Sequence, residues 1–173
     1  MKTRSNSSGD PRPSDERASR KALDFDTYVP AYLTLLANKI SSGASALYRP
    51  KFGVGITDWR IMALLAVEPW IAAGRICDVT GLDKAAVSRS ARELVKRSLV
   101  ESRADATDQR RQLLALTRKG LALHDRIVDV SVERERQLLA RLSDEERRML
   151  VDFLNRMKAQ VALANAVGTA KKD

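Results

Sequence analysis

The stretch Leu82-Asp-Lys-Ala-Ala-Val-Ser-Arg-Ser-Ala-Arg-Glu-Leu-Val-Lys-Arg-Ser-Leu-Val-Glu-Ser-Arg103, continued by Ala104-Asp-Ala-Thr-Asp-Gln-Arg-Arg-Gln-Leu-Leu-Ala-Leu-Thr117, decides the fold. Its first part, Asp83 to Ser98, is basic and sets Val87, Ala91, Leu94 and Val95 on one helical face. Two strand-like runs follow, Leu99-Val-Glu-Ser-Arg103 and Gln112-Leu-Leu-Ala-Leu-Thr117. The residues between them, 104–111, are too polar for a core and read as the tip of a hairpin. A helix sized for a DNA groove, followed by a basic hairpin, is the layout of a winged helix.

The charge distribution points the same way. Of the formal net charge of +9, residues 84–119 carry +6, with ten Lys/Arg against four acidic residues. Residues 1–23 carry +3, residues 24–83 carry −1 and residues 120–173 carry +1. Concentrated positive charge implies a polyanionic partner, because each neutralised phosphate releases condensed counterions. A merely soluble basic surface does not account for the near-neutral flanks.

The 173 residues, 44% hydrophobic and 31% charged, fit one soluble and mainly helical domain. No apolar run approaches the roughly 18 residues that span a bilayer. The polar N-terminus lacks the apolar segment of a secretion signal, so a cytoplasmic protein with no membrane partner is expected. One cysteine, Cys77, and one histidine, His124, exclude an internal disulfide and leave a Cys/His metal site without ligands. No metal and no cofactor are therefore expected. With no glycine-rich phosphate loop and no paired nucleophile and base, the inventory also points away from an enzyme.

Residues 1–23 are rich in Ser, Pro and Arg and read as a disordered basic tail, passive or grazing a minor groove. A helix is expected over 27–48, with Val29, Tyr32, Leu33, Leu36, Ala37, Ile40, Ala44 and Leu47 in periodic register and Pro50 breaking the chain. Thr57 is the expected N-cap of a second helix, Asp58 to Val67, and Pro69 stops it. A short helix, 72–80, ends at Gly81, and Asp83 caps the basic helix, giving a helix-turn-helix. Thr117 caps a long helix through Leu142. Ser143 and Glu146 form a capping box before a last helix with Met149, Leu150, Phe153, Leu154, Met157 and Val161 on one stripe. Residues 168–173 read as a frayed tail. The long, amphipathic terminal helices, 27–48 and 118–165, either form an intramolecular bundle or exchange apolar faces with a second copy. A homodimer is favoured, since two-fold symmetry lets a DNA reader hold two half-sites.

On the basic helix the outward residues near the N-terminus are Lys84, Ala85, Ser88, Arg89 and Arg92. Arg89 is the candidate for bidentate reading of guanine, and Lys84, Ser88 and Arg92 are candidates for phosphate contacts. Arg103, the last residue of the first strand-like run, is a further candidate for DNA contact. In the tip, Asp108 and Arg110 are spaced so that the carboxylate can hold the guanidinium, leaving Arg110 or neighbouring Arg111 to reach into a minor groove. The competing reading is a solvated salt bridge.

Leu82-Asp-Lys-Ala-Ala-Val-Ser-Arg89, Ser98-Leu-Val-Glu-Ser-Arg103, Asp108-Gln-Arg110 and Leu114-Ala-Leu-Thr-Arg-Lys-Gly120 together resemble the MarR family of bacterial transcription regulators. The resemblance spans about residues 27–162. It implies a mainly α fold with a small β-hairpin wing: a winged helix-turn-helix (57–119) within a domain of residues 24–167, plus terminal dimerisation helices. It further implies a homodimer on double-stranded DNA at a pseudo-palindromic operator, usually as a repressor, with Arg110 the minor-groove arginine and Asp108 its orienting partner. Ala85 and Ala86 stand where relatives often have Ser or Thr, so operator preference does not carry over. Ser98 replaces a common glycine, which strains a left-handed turn. The family often responds to a small-molecule effector between the dimer helices and the DNA-binding lobe. Tyr32, Trp59, Arg60 and Trp70 are the candidates to line that pocket, unless they are simply core. Cys77 reads as a small buried hydrophobe and His124 as a boundary residue. The alternative function is a protein-interaction module, or a non-specific DNA-binding protein without effector control.

Overall fold

The computed structural model describes residues 23–25 and 27–168. Among them run helix α1 (Val29–Phe52), α2 (Ile56–Val67), strand β1 (Ile71–Ala72), α3 (Ala73–Thr80), α4 (Lys84–Lys96), β2 (Val100–Ala104), β3 (Gln112–Leu116), α5 (Arg118–Leu138) and α6 (Asp144–Ala166). The fold is a winged helix-turn-helix carrying long terminal helices. Except for Leu23 and Gly168, the expected tails lie outside the described residues.

The local signals that end helices act as expected. Asp83 accepts from the Ala86 amide (2.8 Å), and Thr117 from the Gly120 amide (3.0 Å). At the start of α6 the capping box closes both ways: Glu146 N donates to Ser143 Oγ at 3.2 Å, and Ser143 N to Glu146 Oε2 at 2.7 Å. Gly81 ends α3 in the left-handed conformation, φ 68°.

Four boundaries differ from the sequence reading, each for a tertiary reason. Helix α1 passes through Pro50 to Phe52, because Phe52 is buried in the core and holds the last turn down. Helix α2 begins at Ile56 rather than Asp58, so Thr57 is not its cap. The exposed amides are satisfied instead by Asp58, which accepts from Gly55 N (2.8 Å), and by Ser45 of α1, which accepts from Ile56 N (3.1 Å). Residues 71–72 form β1, pairing antiparallel with β3 (Ile71 opposite Leu114), so the wing is a three-stranded sheet of order β1-β3-β2. Helix α5 stops at Leu138, four residues early, because Arg147 reaches back from α6 and donates to the carbonyls of Leu139 (3.0 Å) and Leu142 (3.2 Å).

The core sits under the helix-turn-helix. Ile61, Met62 and Leu65 of α2 are buried against Ile76 of α3, Val87 and Leu94 of α4, Leu114 and Leu116 of β3, and Ile127 of α5. Each such side chain contributes about 2 kcal/mol of transfer free energy. Helix α2 touches α1, α3, α4, α5 and β3, and is the hub that fixes the recognition elements relative to one another. Gly120 makes one approach possible: a Cβ there would lie 2.0 Å from the Leu99 carbonyl oxygen. Thr117 binds the same region, its hydroxyl donating to Ser98 O (2.8 Å) and its amide to Leu99 O (3.1 Å). The Thr-Arg-Lys-Gly run therefore both caps α5 and locks it onto the start of the wing. Ser98 adopts φ 58°, the left-handed turn expected at that position.

Candidate nucleic-acid interface

Helix α4 turns Val87, Ser90, Ala91 and Leu94 inward. Val95, expected on that face, is exposed, and Ser90 takes a core position in its place. The serine is affordable there because its hydroxyl donates to Asp58 on α2. One carboxylate thus joins the α2 start to the middle of α4 and sets the rotation of α4 about its own axis. This pair, 32 residues apart, was not foreseen. Its only sequence trace is a serine interrupting an apolar stripe.

The opposite face presents Lys84, Ala85, Ser88, Arg89 and Arg92, all exposed. Arg92 Nε donates to Ser88 O at 3.2 Å, which directs that side chain along the helix. At the far end of α4, Arg97 Nη1 donates to Gly53 O (2.7 Å) and Lys119 Nζ to Arg97 O (3.0 Å), so Arg97 is occupied in joining α4 to the α1–α2 turn.

The wing pairs Val100 with Leu116 through Ala104 with Gln112. Its tip is built from two aspartate turns. Asp105 Oδ1 accepts from the amide (2.9 Å) and hydroxyl (2.8 Å) of Thr107. These bonds, led by the Thr107 amide and aided by the charge of Arg111, hold the Asp105 carboxyl below its usual value. Asp108 Oδ1 accepts from the Arg110 amide (3.0 Å) while Asp108 O accepts from the Arg111 amide (2.8 Å). The expectation that Asp108 grips the Arg110 guanidinium is corrected here: the carboxylate takes the backbone N–H two residues on, the bond aspartate makes most readily in a turn. Asp108 shapes the loop, and the Arg110 and Arg111 side chains extend from it.

Near the tip end of β2, where Arg103 stands opposite Leu113, its guanidinium lies over the Trp70 indole, 3.8 Å from the ring centroid. Trp70 itself sits at φ 62°. Among the described residues, none of the five ion pairs involves Lys84, Arg89, Arg92, Arg103, Arg110 or Arg111. The helix face and the wing are thus both cationic, and none of these six side chains is tied up in an ion pair.

This fold is shared with known proteins. The sequence profile of the MarR family matches residues 52–111. A crystal structure of a MarR/EmrR family transcriptional regulator from Acinetobacter sp. ADP1 is 33% identical and superposes with a TM-score of 0.76, over 82% of this chain and 99% of that one. The chain belongs to the MarR family. It is accordingly a DNA-binding transcriptional regulator of the winged-helix type. The HTH-type transcriptional regulator YdgJ of Bacillus subtilis (strain 168) is 31% identical over 112 residues, 63% of this chain and 66% of that protein, just under two thirds of its length. The S. aureus MepR–DNA complex shares the fold at 20% identity, with a TM-score of 0.69 over 80% of this chain and 99% of that one.

In this member of the family the four residues expected around an effector do not share one cavity. Trp59 lines a groove of about 580 Å³ between α1, α2 and α5, with Ile40, Ala44, Tyr48, Ser131 and Arg134. Its indole also stacks on His124 (centroids 5.3 Å apart) and meets Tyr48 edge-on. Arg60 turns to Ser41, donating at 3.0 Å. Tyr32 lies in a separate groove near the start of α1, beside Phe25, Tyr28 and Leu35. Trp70 belongs to the wing. Helical periodicity groups residues on one element but does not say which elements meet, and Tyr48 and Arg134, which line the Trp59 groove, were missed for that reason. Cys77 is half-buried against the core. No helix among the described residues is long and apolar enough to cross a membrane.

Proposed function

We propose that the chain is a homodimeric repressor that binds a pseudo-palindromic operator in double-stranded DNA. Each α4 enters a major groove and each wing the adjacent minor groove. The observation that carries this reading is the set of exposed cations free of ion pairs, Lys84, Arg89 and Arg92 on α4 with Arg103, Arg110 and Arg111 on the wing. Arg89 reads a base edge; Lys84, Ser88 and Arg92 hold phosphates; Ala85 gives close approach without a hydrogen bond. Arg110 enters the minor groove from a tip whose shape Asp108 and Asp105 maintain.

The dimer reading is supported by α6, none of whose described residues is buried although Met149, Leu150, Phe153, Leu154, Met157 and Val161 line it. The start of α1 is similar, with Val29, Tyr32, Leu33, Leu36 and Ile40 exposed. Two-fold pairing covers both. The Trp59–Tyr48 groove, with Arg134 at 6.0 Å from the Tyr48 ring centroid, is the candidate effector site in place of the four-residue pocket read from sequence. A ligand there acts only through its differential affinity for the DNA-competent and DNA-incompetent dimers.

Operator fragments selected from the source genome test the assignment. Binding weakens steeply with salt. Arg89→Ala costs about 1–3 kcal/mol on the preferred operator and flattens preference among operator variants, whereas Arg110→Ala weakens all of them alike. Affinity that is flat with salt would leave the interaction-module reading standing, and the reverse pattern for the two variants would refute the division of roles.

A further inference from the structure

We propose that Trp70 is a positioning residue for DNA contact, holding the Arg103 guanidinium at the tip end of β2 where it engages a backbone phosphate. The proposal rests on the DNA-binding reading and adds a residue outside both the recognition helix and the wing tip.

Two observations carry it. The first is backbone: Trp70 stands at φ 62°, a region that bulky L-residues rarely enter. The turn is held from both sides. Before it, Glu68 is clamped by Arg75 through two hydrogen bonds of 2.9 Å; after it, Ile71 is paired with Leu114 in the sheet. Arginine's hydrogen bonds hold the Glu68 carboxyl below its usual value, so the clamp stays charged at neutral pH. Such a conformation persists only where the surroundings over-determine it, and outliers of this kind gather at functional sites.

The second observation is the stack. With Cζ 3.8 Å from the indole centroid, Arg103 uses one face of its guanidinium on the ring. Its N–H donors lie in the guanidinium plane, so the stack leaves them available. Among the described residues, no hydrogen bond or ion pair occupies them. Arg103 lies on the edge strand β2, on the same hairpin as Arg110 and Arg111. A planar donor fork, oriented in advance, suits bidentate phosphate binding and loses less side-chain freedom on contact than an arginine on an unsupported stem.

The test uses the full chain and a random-sequence duplex, since a phosphate contact does not depend on base sequence. Trp70→Ala and Arg103→Ala each weaken binding about 5-fold and reduce the slope of log affinity against log salt, by about one for Arg103→Ala. The double variant binds no more weakly than Arg103→Ala alone, and Trp70→Phe keeps most of the affinity. Wild-type affinity and slope in Trp70→Ala, or losses that add in the double variant, overturn the proposal. A readout independent of that variant's folding is emission from a Trp59→Phe chain, where Trp70 is the single tryptophan: it changes on saturation with duplex, and an unchanged spectrum overturns the proposal. If the wild-type chain itself fails to bind duplex, the DNA-binding reading falls with it; normal wild-type binding with an indifferent Trp70 removes only this assignment.

Discussion

Helices α4 and α6 are both amphipathic, yet the structure treats them in opposite ways. Of the 13 residues of α4, Val87, Ser90, Ala91 and Leu94 are buried, and the one polar member of that set is tied to Asp58. Of the 23 residues of α6, none is buried. The chain alone therefore fixes the position of the recognition helix, while α6 presents an apolar stripe with no cover inside the protomer. An amphipathic helix gains most of its stability by burying such a stripe. The contrast separates a lobe that buries its own core from an arm whose apolar stripe stays uncovered within the chain, and the cationic face of α4 belongs to the packed part.

The largest effect expected on this contrast is in α6. Leu154→Glu raises the dimer dissociation constant about 1000-fold, because two-fold symmetry counts roughly 2 kcal/mol of lost burial twice. Sedimentation equilibrium measures it, and far-UV circular dichroism retains the signal of the lobe. A variant that stays dimeric moves the interface away from α6. Gly120→Ala acts on the lobe instead, costing about 2–3 kcal/mol in urea unfolding, since the new methyl group collides with a backbone carbonyl that cannot swing aside. Its dimerisation is unaffected below the unfolding transition; an unchanged midpoint would mean that α5 does not press on Leu99 as described. The smallest effect is Ser98→Gly, which stabilises the lobe by about 0.5–1 kcal/mol by relieving a left-handed serine. A lower melting temperature for that variant would show that the turn is not strained.

The parts of the fold legible in sequence are those made by neighbours along the chain. The caps at Asp83, Thr117 and Ser143 each join residues three apart, and Gly81 and Ser98 mark turns through their own backbone. The motif Leu-Thr-Arg-Lys-Gly120, first useful as a resemblance, has a local cause in its cap and a tertiary one in the Gly120–Leu99 approach. Legibility fails where partners are distant. Pro50 looks like a stop, and only the burial of Phe52 carries α1 past it. Trp70 looks like one more aromatic for a pocket until the sheet brings it under Arg103. Asp108 and Arg110 are correctly paired by spacing, but the bond runs to the amide, because a short carboxylate meets the backbone of its own turn before it meets a long side chain.

The sequence by itself determined the winged helix, the location of the positive charge and the helix ends capped at Gly81, Asp83, Thr117 and Ser143, since each depends on periodicity, composition or contacts within one turn. Tertiary structure alone decided that Ser90 rather than Val95 joins the buried face of α4, through Asp58, and where Trp59 and Trp70 belong. It also decided that α6 is left uncovered in the protomer. Those are contacts across tens of residues, set by how packed elements meet rather than by any pattern along the chain.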